Sequence, residues 1–112
     1  MIDAPIGPEH GSTYRQCVRE DGAKAKSVCE VLKTGKGISL VRLIPYTGRT
    51  HQLRVHMAYA GYPLLGDWLY GERSTLIERP ALHAAELSFA HPITGEEIKL
   101  SAPLPHDMAR LL

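Results

Sequence analysis

Between Ser27 and Lys33 the side chains read as two alternating sets, Val28, Glu30 and Leu32 against Cys29, Val31 and Lys33. A period of two predicts a strand. Thr34-Gly-Lys-Gly37 predicts a turn, because glycine supplies the positive φ that tight turns require. Ile38 to Pro45 predicts the returning strand of a hairpin. The period then changes. From His51 to Ala60 the spacing of Leu53, Met57 and Ala60 predicts a helix with those residues inward and Gln52, His56 and Tyr59 on a polar face. Thr50 is the expected N-cap and Gly61 the expected residue just past the helix end. Tyr62 to Gly71 predicts a structured loop. Ala81 to Ala90 and Glu97 to Ala102 predict strands around a turn at His91 to Gly95, and Pro105 to Leu112 a short helix with Asp107 near its start. Pro5, Gly7, Pro8 and Gly11 argue for irregular structure from Ile2 to Gly11. Strands outnumber helices and short turns join neighbours, so the expected class is α+β, with a mostly antiparallel mixed sheet and flanking helices.

Composition narrows this reading. The chain has 112 residues, 44% hydrophobic and 22% charged, which suggests one domain or a piece of one. No run approaches the roughly 20 apolar residues of a membrane span, and Met1 to Gly7 has no signal-peptide pattern. The expected compartment is the cytoplasm, with no membrane partner, and Cys17 and Cys29 are expected as reduced thiols. The net charge of +1 hides an asymmetry: no Asp or Glu occurs between Val31 and Gly66, a stretch holding Lys33, Lys36, Arg42, Arg49, Arg54, His51 and His56. Such a patch attracts phosphate-bearing partners. Charge alone equally describes a solvated basic surface, and it does not separate RNA from DNA or a small phosphate ligand.

The densest chemistry lies in Thr47 to His56. Arg49 precedes the helix, where its guanidinium fork and the free N–H groups of the helix start suit an anion. Arg54 sits among Leu53, Val55 and Met57, so partial burial is expected, and a buried guanidinium demands a carboxylate. Glu86 and Asp67 are candidate partners in a structural salt bridge. His51 and His56 are five apart rather than at HExxH spacing, and no Glu accompanies them, which argues against metal ligation. A metal-dependent hydrolase using His51, His56 and Asp67 is the reading this disfavours. His83 and His91 are expected as hydrogen-bonded strand and turn residues. Trp68 and Tyr70 suit base stacking or, more simply, loop anchoring.

Taken together these segments resemble the RluA-type family of RNA pseudouridine synthases. Its TGRTHQ(I/L)RVH motif corresponds to Thr47–His56. Its GHPLLGDxxYG motif corresponds to Gly61–Gly71, with Tyr62 in place of the usual His. Its LHAxxLxFxHPxTG motif corresponds to Leu82–Gly95. Ile2-Asp-Ala-Pro-Ile-Gly7 and Ala102-Pro-Leu-Pro105 resemble flanking family segments.

The resemblance implies a cofactor-free isomerisation of uridine to pseudouridine in rRNA or tRNA, with the target base flipped from its stack. It implies that Arg54 is the ion-pair partner of a catalytic Asp, that Leu82 is an apolar pocket residue, and that Arg49, His51, Gln52 and His56 support the site or touch RNA. One departure is large. The family's catalytic Asp lies in HRLDxxTSG, and none of Asp3, Asp21, Asp67 and Asp107 has that context. The chain is therefore expected to be a single partial domain over residues 1–112, the C-terminal part of a synthase catalytic domain and inactive alone. The alternative is a non-enzymatic RNA-binding module. Loss of half a sheet would expose apolar surface, so self-association is also expected.

Overall fold

The structure, a computed structural model, describes every residue except Thr13, Lys36, His91 and Leu112, and leaves the side chains of residues 86–90 and 97–100 undescribed. Expectations for His91 and for Glu86 as an ion-pair partner fall outside the described part.

The predicted hairpin forms the main sheet. Strand β4 (Lys26–Thr34) pairs antiparallel with β5 (Ser39–Pro45), with a register shift between Val31 and Lys33. Gly35 N–H donates to Ile38 O at 2.8 Å to close the turn. The N-terminal segment departs from the irregular structure its prolines and glycines predict. Strand β1 (Ile2–Asp3) adds to the free side of β4, and β2 (Ile6–Pro8) pairs with β3 (Gln16–Val18). Two- and three-residue edge strands tolerate proline, because the ladder has few N–H donors to lose. Near the C-terminus β6 (Glu86–Ala90) pairs with β7 (Glu97–Ser101). Every recorded pairing is antiparallel, and the strands divide among three small sheets. With helix α1 (Gln52–Tyr59) and the short α2 (His106–Ala109), the class is α+β. Among the described residues no helix is long and apolar enough to cross a membrane.

Helix α1 sits against β3, β4 and β5, but of the face its periodicity predicts only Met57 is buried. The buried positions are Gln52, Val55, His56 and Met57, while Leu53 is only half-buried and Ala60 is exposed. Val55 packs with Ile6 and Ala25, flanked by Val18 and Tyr70. The inward polar residues are accommodated because each donor and acceptor finds a partner, which removes most of the cost of burying it.

Those partners form a directed chain. Lys26 N–H donates to Thr47 Oγ1 at 3.1 Å, and the Thr47 hydroxyl donates to Gln52 Oε1 at 2.6 Å. Gln52 Nε2 donates to Lys26 O at 2.8 Å and to Ser27 Oγ at 2.9 Å. Ser27 Oγ lies 2.8 Å from His56 Nδ1, and His56 Nε2 lies 2.8 Å from Ala4 O. A carbonyl only accepts, so Nε2 carries a proton; in the neutral ring Nδ1 then accepts from Ser27. Strands β1 and β4 are thus fastened to the helix by side chains.

Candidate active site

Loop geometry creates the site on the other side of α1. The residue before the helix is His51, at φ 53° and ψ 23°, the left-handed region, and it makes no side-chain cap bond. Thr50 is therefore not the N-cap. Gln52 instead closes the turn ahead of the helix, its Oε1 accepting from Arg49 N–H at 3.0 Å. The left-handed turn brings the His51 ring to Tyr70, with Nδ1 2.8 Å from the phenolic oxygen and the rings edge-on at 5.7 Å. Left-handed backbone at a non-glycine residue is uncommon and costs free energy, so the surrounding contacts must hold it.

The loop from Gly61 to Gly71 supplies Asp67 and Tyr70. Gly66 is indispensable to its path: at φ +76° a Cβ would stand 2.3 Å from Arg79 O and 2.9 Å from Ile77 Cγ2. The next residue, Asp67, is fully buried. Arg54 grips its carboxylate with two bonds, Nε to Oδ2 at 3.1 Å and Nη2 to Oδ1 at 2.7 Å. Leu69 and Tyr70 N–H groups also donate to Oδ1, each at 3.3 Å. Asp67, one of the two partners open from sequence, is bound to Arg54 in the structure. The side chain of Arg54 is 17% exposed.

Tyr70 lies at the centre. The Arg54 guanidinium carbon stands 5.2 Å from its ring centroid and that of Arg15 5.5 Å, both within cation–π reach. Its hydroxyl accepts from Gln16 N–H at 2.9 Å, which directs the hydroxyl proton to His51 Nδ1. Arg15 is held by Glu9 at 2.6 Å and Leu69 O at 3.2 Å.

The charges are mutually adjusted. Burial alone would raise the Asp67 carboxyl, but the Arg54 bonds, the Tyr70 and Leu69 N–H groups and the Arg54 charge outweigh it, leaving it below the ordinary carboxylate range. The hydrogen bonds that Arg54 donates to Asp67 raise the arginine in turn. Burial, then the Arg54 charge, lowers His51, against a smaller opposing effect of Asp67. Burial raises the Tyr70 phenol despite Gln16 N–H and the two guanidiniums. The site at neutral pH is therefore an ion pair beside a neutral imidazole and a neutral phenol.

The sequence-based candidates separate. His51 and Arg54 belong to the cluster. Gln52 and His56 are buried in the hydrogen-bonded chain against Ser27 and Ala4, which suits a supporting role. Arg49 is exposed, with Nε bound to Lys24 O at 2.8 Å. Leu82 is half-buried; Arg79 Nη1 binds its carbonyl at 3.2 Å while Arg79 forks onto Asp107 with two bonds of 2.9 Å. None of the polar or ring contacts around Arg54 involves Leu82. His51, His56 and Asp67 are not gathered: among the described residues no group of three His, Cys, Asp or Glu side chains could hold a metal. The basic stretch is also less positive than its composition, since Arg42 pairs with Glu30 at 3.6 Å and Arg54 with Asp67. The loop walls an open depression of about 520 Å³ with Glu72, Arg73 and Ser74, and Arg54 does not line it. Sequence reasoning missed Arg15 and the central place of Tyr70. The one available signal for Tyr70 was its position three residues after Asp67, where its N–H and ring both return to the carboxylate.

Comparison with known proteins shows the family. The profile of the RNA pseudouridylate synthase family matches residues 1–59, just over half of the chain. The chain belongs to that family. It is 47% identical over 111 residues to the uncharacterized RNA pseudouridine synthase YjbO of Bacillus subtilis, covering 99% of this chain and 39% of that protein. It is 40% identical over 125 residues to ribosomal large subunit pseudouridine synthase D of Vibrio cholerae, covering 99% and 39%. Human RNA pseudouridylate synthase domain containing 1 superposes with a TM-score of 0.76 at 32% identity, over 91% of this chain and 46% of that one. The chain thus spans about two fifths of the length of these curated relatives.

Proposed function

We propose that the chain forms the Arg54-bearing part of an RNA pseudouridine synthase site and works with a catalytic aspartate that lies outside these 112 residues. The observation that carries this is an oriented, partly exposed guanidinium within the family motif. The reaction is an isomerisation. The C1′–N1 bond of a flipped uridine breaks and the uracil rejoins through carbon, with one proton lost at carbon and one gained at nitrogen, so no redox partner or cofactor is called for. A guanidinium beside the acting carboxylate keeps it ionised. Leu82 would wall the base and Arg49 a phosphate. The name of the Vibrio cholerae relative favours ribosomal RNA as substrate, with transfer RNA the alternative.

Two measurements test this. The purified chain alone should form no pseudouridine. A chimera in which it replaces the matched segment of the Vibrio cholerae synthase should restore pseudouridine to large-subunit rRNA in cells lacking that enzyme. Turnover by the isolated chain, or a folded but inactive chimera, would overturn the reading.

The non-enzymatic RNA-binding reading draws on the exposed Arg49. RNA affinity of the isolated chain should fall steeply with salt, and Arg49→Ala should weaken binding and reduce the salt slope by about one. Affinity indifferent to salt would count against any RNA-contacting basic face. Self-association is proposed through the exposed apolar side chains of the hairpin, Val31 at 59%, Leu32 at 48% and Ile44 at 37%. Sedimentation velocity should show concentration-dependent association; a clean monomer at high concentration would remove it.

A further inference from the structure

Asp67 is an acid the proposed chemistry does not use, yet it is the best-held carboxylate of the described residues. It is fully buried and takes two bonds from Arg54 and two from backbone N–H groups. Those bonds consume the Nε–Nη2 edge of the guanidinium. A guanidinium has five N–H donors in a planar fork, so the Nη1 side is left to address a second acceptor. Among the described residues Nη1 has no hydrogen-bond partner, and no buried side-chain polar atom is left unsatisfied. The Tyr70 ring packs against the same guanidinium, and the Tyr70 hydroxyl is held by Gln16 N–H and His51 Nδ1. His51 reaches it only through its left-handed backbone.

We infer that Asp67, Tyr70 and His51 are positioning residues which clamp one edge of Arg54, so that its opposite edge is presented in a single orientation to the catalytic carboxylate. The arrangement is a carboxylate–guanidinium–carboxylate bridge with Asp67 as its internal member. This rests on the synthase reading for the identity of the second carboxylate. The clamp itself rests on the geometry of this chain. Three constraints act on Arg54 from different directions. Asp67 fixes the plane and rotation of the fork, the Tyr70 ring blocks displacement across its face, and His51 prevents Tyr70 from turning away. A long arginine side chain otherwise samples many rotamers, and an error of about 1 Å in such a group can cost on the order of a hundredfold in rate.

The test has two arms. In the isolated chain, the side-chain NMR signal of Arg54 Nε–H should be resolved and slow to exchange with water, unlike that of the exposed Arg49. Asp67→Asn should weaken that protection at least tenfold. The buried Gln52 side-chain amide, which belongs to the separate network on β4, should keep its signals and so report that the fold survives. Should Asp67→Asn fail to fold, Asp67→Glu keeps the charge while pushing the carboxylate outward by one methylene, and it should shift the Arg54 signal. An Arg54 Nε–H that exchanges as fast as that of Arg49 in the unaltered chain overturns the clamp. In the chimera, Asp67→Glu and Tyr70→Leu should lower kcat at least tenfold with KM changed less than threefold, since neither residue is placed against RNA. Unchanged kcat for both variants in an active chimera overturns the positioning role. An inactive parent chimera with a protected Arg54 signal instead removes the synthase reading and leaves the clamp standing.

Discussion

Arg54→Met should destabilise the chain by about 3–5 kcal/mol, the usual consequence of leaving a buried charge without its partner. Methionine preserves much of the aliphatic stem, so the loss isolates the charge rather than the packing. Asp67 is fully buried; without Arg54 it retains only the two backbone N–H groups at 3.3 Å. The effect has a definite pH dependence. In the parent chain burial raises the Asp67 carboxyl but its partners lower it more. The folded value thus lies below the unfolded one. Its ionised form contributes stability above about pH 4, the ordinary aspartate range, and that contribution is lost as pH falls through the lowered folded value. In Arg54→Met the chief opposing partner is gone and burial raises the carboxyl instead. The difference between parent and variant should therefore be greatest at neutral pH and shrink on acidification. Urea unfolding at pH 7 and pH 4 measures it. A deficit that stays constant across that interval would show that Asp67 is not the group responsible.

His56→Ala should cost a similar amount, about 3–5 kcal/mol, for a different reason. The ring is fully buried and connects Ser27 to Ala4. Removing it leaves the Ala4 carbonyl and the Ser27 hydroxyl short of a partner, at about 1–3 kcal/mol each, and opens a cavity beside Val55 and Met57. The loss should concentrate on β1, whose attachment to β4 is only two residue pairs long. Hydrogen exchange should show amides of residues 2–6 losing protection before those of α1. Uniform loss across the chain would mean that His56 is a general core residue and not the fastener of β1. His56→Gln, which offers a donor but a shorter reach, should recover part of the stability.

The two histidines of the motif illustrate how far the residue pattern could be read. The strand pattern over 27–33, the glycine-bearing turn and the returning segment 38–45 translated directly into the β4–β5 hairpin, because strand and turn preferences are local properties. The helix was legible for the same reason. Its inward face was not. Hydrophobic spacing favoured Leu53, Met57 and Ala60, of which only Met57 is buried, beside Gln52, Val55 and His56. Burial of a polar side chain depends on whether a partner awaits it, and the partners of this helix, Ser27 and Ala4, are remote in sequence. The N-terminal strands were unreadable on similar grounds: Ile2–Asp3 and Ile6–Pro8 are too short to show a period, and become strands only because β4 and β3 offer edges.

For the site, the amino-acid sequence by itself determined the family and the demand of Arg54 for an acid, since motif residues and the cost of an unpaired buried charge are both local facts. It did not determine which acid. Tertiary structure alone decided that Asp67 fills that place, that Tyr70 lies against two guanidiniums, and that His51 rather than Thr50 ends the turn into the helix. The physical reason is that ion-pair and cation–π energies depend on distance and on burial, and both are set by how the loop from Gly61 to Gly71 folds back over α1.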